Sequence, residues 1–281
     1  MAKFPRSPEG KTVAAVIGDP VLHSLSPTIY NAAFEYDRID WVYSAINLPS
    51  REVGSLIEEM RVLRIGGLSV TMPHKETVAN LVDEMTSHAQ KLEVVNCVSR
   101  EEDSLIGHNT DGEGFLRALQ EETKEEISGK TCLIIGAGGA ARAVSLALGE
   151  SGAKEVIISS RDISKSETVA SLAGKSGKVG SLSDGQRVDL IVNATPVGMN
   201  GTGNEGLLPL PATAINKDQI VVDLIYHPIE TEFLASARKV GARTMNGIGM
   251  LVHQAALQYT LWTQKEAPLE AMHNAVIKKI S

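Results

Sequence analysis

Two hydrophobic patterns alternate from one end of the chain to the other. Short apolar runs rich in β-branched residues, at 12–17, 41–48, 67–71, 94–99 and 105–108, read as strands. Residues 27–36, 51–62 and 76–84 instead place apolar side chains at three- and four-residue spacing, as Val53, Leu56, Ile57 and Met60 do, and read as helices. The second half continues the alternation, with strands expected at 131–135, 155–159, 190–194 and 220–224 and helices at 140–149 and 164–173. The glycine- and polar-rich stretches 174–186 and 200–206 read as irregular connections. From Asn246 onward the pattern is helical again, carried by Leu251, Ala255, Leu257, Leu261 and Trp262. Strand–helix alternation predicts an α/β fold with mostly parallel sheets covered on both faces. The charged stretch 121–130 reads as a helix end and surface link, and a second unit opens its first strand at Thr131.

Length and charge narrow the function classes. The 281 residues suggest two domains, with 43% hydrophobic residues and no need for a disulfide or metal staple. Against 27 basic residues stand 34 acidic ones, a net charge of −7 that argues against holding nucleic acid or an anionic membrane through net charge. Cys97 and Cys132 lie far apart in strand-like runs and read as buried thiols in a reducing compartment. No Cys/His cluster has metal-ligand spacing, so no metal is expected. The first 18 residues hold no long apolar run, and no segment approaches a membrane span, so a soluble cytoplasmic protein is expected.

Candidate chemistry begins after the strand TCLII. There Gly136, Ala137, Gly138, Gly139, Ala140 and Ala141 turn the chain into a helix. A tight glycine turn lets backbone approach a pyrophosphate, which then sits on helix N–H groups, and Ala141 takes the third glycine position, where close packing is the requirement. The next strand ends in Ser159, Ser160, Arg161 and Asp162. Hydroxyls and a guanidinium there suit the 2′-phosphate of NADP, whereas Asp162 could repel it or neutralise Arg161, so NAD stays open as the alternative.

The first half offers four more constellations. Ser24 and Ser26 precede a helix whose first residue is Pro27; Ser26 reads as its N-cap, and the two hydroxyls could hold a carboxylate. Lys75 follows Ser69-Val70-Thr71-Met72-Pro73-His74 in the first turn of a helix, where the dipole disfavours a cation, so it is a candidate for proton transfer. Asn96 stands in an apolar strand and needs a hydrogen-bond partner. Asp111 reads as a helix N-cap, with Gly112 and Gly114 as a hinge.

Together these segments resemble the shikimate dehydrogenase family. GDPVLHSLSP, VTMPHKE, VVN, GHNTDGEGF, GAGGAARA, NATPVGM, VDLIYHP-x-x-T and NGIGMLVHQAA fall in that family's order over residues 14–262. The resemblance implies a substrate-binding domain over 1–112, completed by helices at about 249–281, and a Rossmann-like NADP domain over 113–248. It implies Lys75 and Asp111 as the catalytic pair, and Ser24, Ser26, Thr71, Asn96, Tyr226 and Gln254 at the substrate. Gly136, Ala137, Gly138, Gly139, Ala140, Ser160, Arg161, Leu224 and Gly247 would line the cofactor site. The implied reaction is NADPH-dependent reduction of 3-dehydroshikimate to shikimate in aromatic biosynthesis, by a monomer or homodimer. An NAD-dependent quinate/shikimate dehydrogenase and a non-catalytic dinucleotide sensor are the competing readings. The chain departs from the family at Ser69, where asparagine is common, at His74, and at Asn246, where aspartate is usual.

Overall fold

A computed structural model describes residue 4, residues 10–63 and residues 65–280. Most of residues 1–9, part of the stretch read for a leader, therefore lie outside the described residues. In chain order the first elements are β1 (Thr12–Gly18), α1 (Ser26–Tyr36), β2 (Trp41–Asn47), α2 (Val53–Leu63), β3 (Gly67–Val70), α3 (Lys75–Ala79), β4 (Glu84–Met85), α4 (Ser87–Leu92), β5 (Cys97–Glu101) and β6 (Ser104–His108). They are followed by α5 (Asp111–Thr123), β7 (Thr131–Ile135), α6 (Gly139–Glu150), β8 (Glu155–Ser159), α7 (Ile163–Leu172), β9 (Gly177–Val179) and β10 (Leu190–Asn193). The last are β11 (Ile220–Asp223), α8 (Glu232–Lys239), β12 (Arg243–Met245), α9 (Gly247–Thr263) and α10 (Leu269–Ile280). Two compact units result, Met1–Thr110 with Val252–Ser281, and Asp111–Leu251.

The first unit's sheet runs β2-β1-β3-β5-β6-β4. The pairs β1–β2, β1–β3 and β4–β6 are parallel, whereas β5 is antiparallel to β3 and β6. The β5–β6 hairpin has a consequence for the site. It returns Asn96 and Asn109–Thr110 to the edge where β1 and β3 end, and Val70 N–H donates to the Asn96 carbonyl at 2.8 Å. Val13, Ala15, Ile17, Leu56, Ile57, Met60, Leu68 and Val98 fill one face of this sheet. On α1, buried Ile29, Tyr30, Ala33 and Phe34 form an i, i+1, i+4, i+5 stripe, and α10 packs alongside. Tyr30 stacks on Tyr43 at 4.2 Å between ring centres, with Trp262 of α9 at 5.1 Å from Tyr30.

In the second unit all six strands are parallel, in the order β12-β11-β10-β7-β8-β9. That is the doubly wound arrangement, and its order reverses between β7 and β10, where ligands bind at strand ends. The strands are apolar on both faces, as Leu133 and Ile134 show, because helices cover both.

Some expectations from pattern alone are corrected. The helix expected at 76–84 ends at Ala79, because Asn80 Nδ2 donates back to the Glu76 carbonyl and Asp83 joins Leu105 through N–H and carboxylate. Val94 and Val95 precede β5 rather than belong to it, with Val95 N–H on the Lys75 carbonyl at 3.1 Å. Within 174–186 lies edge strand β9; a Cβ on Gly177 would stand 1.8 Å from the Ala170 carbonyl oxygen, so only glycine brings that strand so near α7. Gly112 also has a packing reason to be glycine, since its Cβ would meet the Ala143 carbonyl oxygen at 2.8 Å where α5 crosses α6. Cys97 and Cys132 are buried free thiols, as expected. No described helix is long and apolar enough to cross a membrane.

Candidate active site

At the carboxyl edge of the first sheet, register assembles side chains that are far apart in sequence. The Gly18 and Thr71 loops abut, with Thr71 N–H donating to the Ile17 carbonyl and Asp19 N–H to the Met72 carbonyl. A Cβ on Gly18 would lie 2.5 Å from Thr71 Cγ2, so glycine lets these loops close. Ser26 is the first helical residue of α1, not its N-cap; Leu25 holds that position with no side-chain cap. Ser24 takes over the duty, its Oγ accepting from Ser26 N–H at 3.2 Å and donating to Ser26 Oγ at 3.1 Å. The two hydroxyls thus face one another at a helix start, a setting suited to a carboxylate.

Asn96 has the partner that its burial requires. Its Oδ1 accepts from Thr110 N–H at 2.9 Å and its Nδ2 donates to Thr110 Oγ1 at 3.0 Å. A backbone N–H can only donate, so the amide's orientation is settled. Asp111 directly follows Thr110 and is the first residue of α5 rather than its N-cap. Lys75 opens α3, with its carbonyl held by Val95 N–H one residue from Asn96. Lys75, Asn96 and Thr110 therefore belong to one hydrogen-bonded frame, and the chain places Asp111 at its end. His74 is fully buried, with Nε2 on the Leu48 carbonyl at 2.6 Å, and is a structural neighbour.

Gln254 lies on α9, where its carbonyl accepts from Thr110 Oγ1 at 3.2 Å. Its Oε1 accepts from Gln258 Nε2 at 2.7 Å. Gln258 itself was not singled out by sequence. It is buried, and its Oε1 accepts from Tyr30 Oη at 2.8 Å and Ser69 Oγ at 2.6 Å. Tyr43 Oη in turn donates to Ser69 Oγ at 2.6 Å. Burial pushes both phenols well above their usual pKa, hydrogen bonds from serine hydroxyls opposing, so both stay protonated donors. The sequence signal for Gln258 is its i+4 spacing from Gln254 in a largely apolar helix.

The second unit carries the glycine turn. Gly136 follows β7 with φ +117°, and a Cβ there would meet the Ala194 carbonyl oxygen at 2.9 Å, so conformation and space both demand glycine. Gly138 caps α6 in extended conformation, with no atom within 4 Å of a Cβ built on it. Protein packing gives no reason for glycine at 138; backbone access for a ligand does. Ala141 is buried in the core, as its packing role predicts. Ala137 and Ala140 flank the turn, half-buried. These features fit a dinucleotide pyrophosphate at the N-terminus of α6.

Around the turn, Gly136 N–H donates to the Ser159 carbonyl at the end of β8. Ser160 Oγ accepts from Asp162 N–H and lies 2.8 Å from Ser166 Oγ, so it shapes the turn. Asp162 caps α7, accepting from Lys165 N–H at 3.1 Å, which engages its carboxylate with its own helix. Arg161 is exposed and makes no ion pair among the described residues. On the other side, Gly247 N–H donates to the Ile225 carbonyl, bringing the start of α9 against Leu224. Tyr226 is half-buried, and burial raises its phenol pKa.

Asp223 ties this edge together. Its Oδ1 accepts from Asn193 Nδ2 at 3.0 Å and Ile225 N–H at 3.2 Å, and its Oδ2 from Thr231 Oγ1 at 2.7 Å. Burial raises its pKa to about 6 despite those donors. A folded pKa above the unfolded one means that the contribution to stability is complete below about pH 4 and is lost as pH rises to about 6. The size is about 3 kcal/mol. Subtracting the stability profile of Asp223→Asn from that of wild type should give a difference that declines over this window; a flat difference in denaturant titrations would remove Asp223 as its source. Among the described residues no group of three or more His, Cys, Asp or Glu could hold a metal ion.

Fold and site together define a two-unit α/β protein whose second unit is a Rossmann-type dinucleotide binder. Comparison with known proteins supplies the family. Residues 16–98 match the shikimate dehydrogenase substrate binding domain, 118–225 match shikimate / quinate 5-dehydrogenase, and 247–277 match the shikimate 5'-dehydrogenase C-terminal domain. The shikimate dehydrogenase (NADP(+)) of Methanopyrus kandleri is 43% identical over 280 residues, 95% of this chain and 96% of that one. A crystal structure of shikimate dehydrogenase in complex with NADP+ is 37% identical, covers 99% of both chains and superposes with a TM-score of 0.93. Shikimate 5-dehydrogenase from Thermus thermophilus, in complex with NADP(H) and shikimate, is 34% identical over 95% of this chain and 99% of that one, with a TM-score of 0.88. The chain belongs to the shikimate dehydrogenase family.

Proposed function

We propose that the protein is a shikimate dehydrogenase that interconverts 3-dehydroshikimate and shikimate with NADPH, in the synthesis of aromatic compounds. The observation that carries the reading is the joint retention of the Ser24–Ser26 pair, the Lys75–Asn96–Thr110 frame leading to Asp111, and the glycine turn at 136–139. A binding-only sensor would need the turn but not the lysine and carboxylate.

In this reading Gly136, Gly138 and the α6 N-terminus hold the pyrophosphate, Arg161 pairs with the 2′-phosphate, and Leu224 and Gly247 flank the nicotinamide side. When bound, the reduced nicotinamide supplies a hydride to the substrate ketone carbon. Ser24 and Ser26 donate to the substrate carboxylate and fix the ring. Thr71, Asn96, Tyr226 and Gln254 border the remaining substituents. Lys75 Nζ gives a proton to the ketone oxygen as it becomes alkoxide, and takes it back in the oxidation direction. Asp111 orients the ammonium and a ring hydroxyl.

Initial rates of shikimate oxidation at about pH 9, where proton release is favoured, test the reading. NADP should give a higher kcat/KM than NAD. Arg161→Ala should raise the NADP KM about tenfold or more and leave the NAD KM unchanged, since one guanidinium–phosphate pairing is removed. No oxidation of shikimate with either cofactor would refute the proposal. The expected preference for NADP rests on Arg161, with the Asp162 carboxylate engaged as the cap of α7.

A further inference from the structure

Gln258 belongs to none of the residues read from sequence as substrate ligands, yet its amide joins Tyr30, Ser69, Asn96, Thr110 and Gln254. We propose that Gln258 is a positioning residue that sets which edge of the Gln254 amide meets the substrate, so that Gln254 acts there as a donor through Nε2. The inference deepens the shikimate dehydrogenase reading and rests on it.

The argument is one of donors and acceptors. The Asn96 carbonyl can only accept, and it lies 3.4 Å from Gln258 Nε2. On the opposite edge Gln258 Oε1 receives two hydroxyls. One is the Tyr30 phenol, kept protonated by burial; the other is Ser69, which already accepts from Tyr43 and so directs its own proton to Gln258. Flipping the Gln258 amide would set its oxygen against the Asn96 carbonyl and take from the Tyr30 and Ser69 hydroxyl protons their shared acceptor. In a buried site each of those mismatches is unfavourable, so the amide has one orientation. Its Nε2 donates to Gln254 Oε1 at 2.7 Å, one helical turn earlier on α9. With Oε1 committed there, the other edge of Gln254 is an NH2, matched to oxygen acceptors on the substrate ring. Ser69 is therefore part of the support for Gln254 rather than a spare polar group.

Gln258→Glu keeps the shape and the acceptor for Tyr30 and Ser69 but removes the donor to Gln254. The KM for shikimate should rise about tenfold at pH 9, with the NADP KM within about twofold of wild type. The rise should shrink toward pH 6, because a protonated glutamic acid regains one donor. Tyr30→Phe removes one of the two hydroxyls that set the orientation and should raise the shikimate KM about threefold, again without moving the NADP KM. It decides the matter if Gln258→Glu does not fold. An unchanged shikimate KM, or shikimate and NADP KM values rising together, overturns the proposal. Wild-type turnover of shikimate separates the two levels. A wild type inactive on shikimate defeats the functional reading, whereas an active wild type with unaltered variants defeats only the role of Gln258.

Discussion

Replacing Lys75 by alanine should lower kcat for shikimate oxidation by about 10²–10⁴-fold, the usual contribution of a positioned general acid–base. The reason is chemical rather than architectural. The Lys75 carbonyl, not its side chain, receives Val95 N–H, so the backbone frame survives truncation to Cβ. The helix it opens is only five residues long, and its buried residues are Val78 and Ala79. The melting temperature should therefore stay within a few degrees of wild type. Cofactor binding should also persist, because the glycine turn belongs to the other unit. The expected pattern is a collapsed kcat with a nearly normal NADP Kd, measured by fluorescence titration. Near-normal turnover in Lys75→Ala would end the assignment of proton transfer to this side chain. Asp111→Asn should show a similar fall in kcat under the proposed mechanism, in which the two groups act together and their losses do not add.

Gly247→Ala should damage both stability and cofactor binding through a single methyl. The new Cβ would stand 2.2 Å from the Leu224 carbonyl oxygen and 2.6 Å from its carbon. Both are backbone atoms at the end of β11, so no side chain can swing aside. The Gly247 N–H bond to the Ile225 carbonyl pins the same peptide from the other direction. Relief requires the start of α9 to move off the strand end, and overpacking of this kind costs about 1–3 kcal/mol. For a protein of this size the melting temperature should fall by about 5–10 °C, and the NADP KM should rise as the Leu224 wall shifts. Gly138→Ala is the control. No atom lies within 4 Å of its Cβ, and φ is −87°, so the fold should tolerate it with a loss below about 1 kcal/mol for the altered cap. Its NADP KM should nevertheless rise, because the methyl occupies the path by which a pyrophosphate reaches the α6 N–H groups. Equal melting temperatures for Gly247→Ala and wild type, or an unchanged NADP KM in Gly138→Ala, would contradict these roles.

Much of this molecule is written locally in its chain. The glycine turn was legible because every part of its signal is contiguous: an apolar strand, a glycine that needs positive φ, and a helix of small residues. The same holds for Lys75 at a helix start and for Ser24 and Ser26 at the start of α1. Arg161 was legible as a candidate for the phosphate, but the standing of Asp162 was not. Whether that carboxylate repels a phosphate depends on where it points, and its capping bond to Lys165 N–H appears only once α7 forms.

The rest was decided by tertiary structure, for a consistent physical reason. Hydrophobic periodicity reports which face of an element is buried, but says nothing of what it is buried against. Strands β4 and β9 are two and three residues long and exist because a neighbouring strand offers them hydrogen bonds. Lacking that information, pattern alone extended α3 through Glu84 and left β9 within a loop. Gln258 is the sharpest case. Its partners Tyr30 and Ser69 lie 228 and 189 positions away in the chain, and only the return of α9 to the first sheet gives its amide a direction. The sequence by itself determined the α/β class and the dinucleotide turn, and it singled out the residues proposed to move a proton. Strand register and the closing helix determined which polar side chains of the first unit share an edge, because a buried polar side chain acquires its role from the donors and acceptors that folding sets around it.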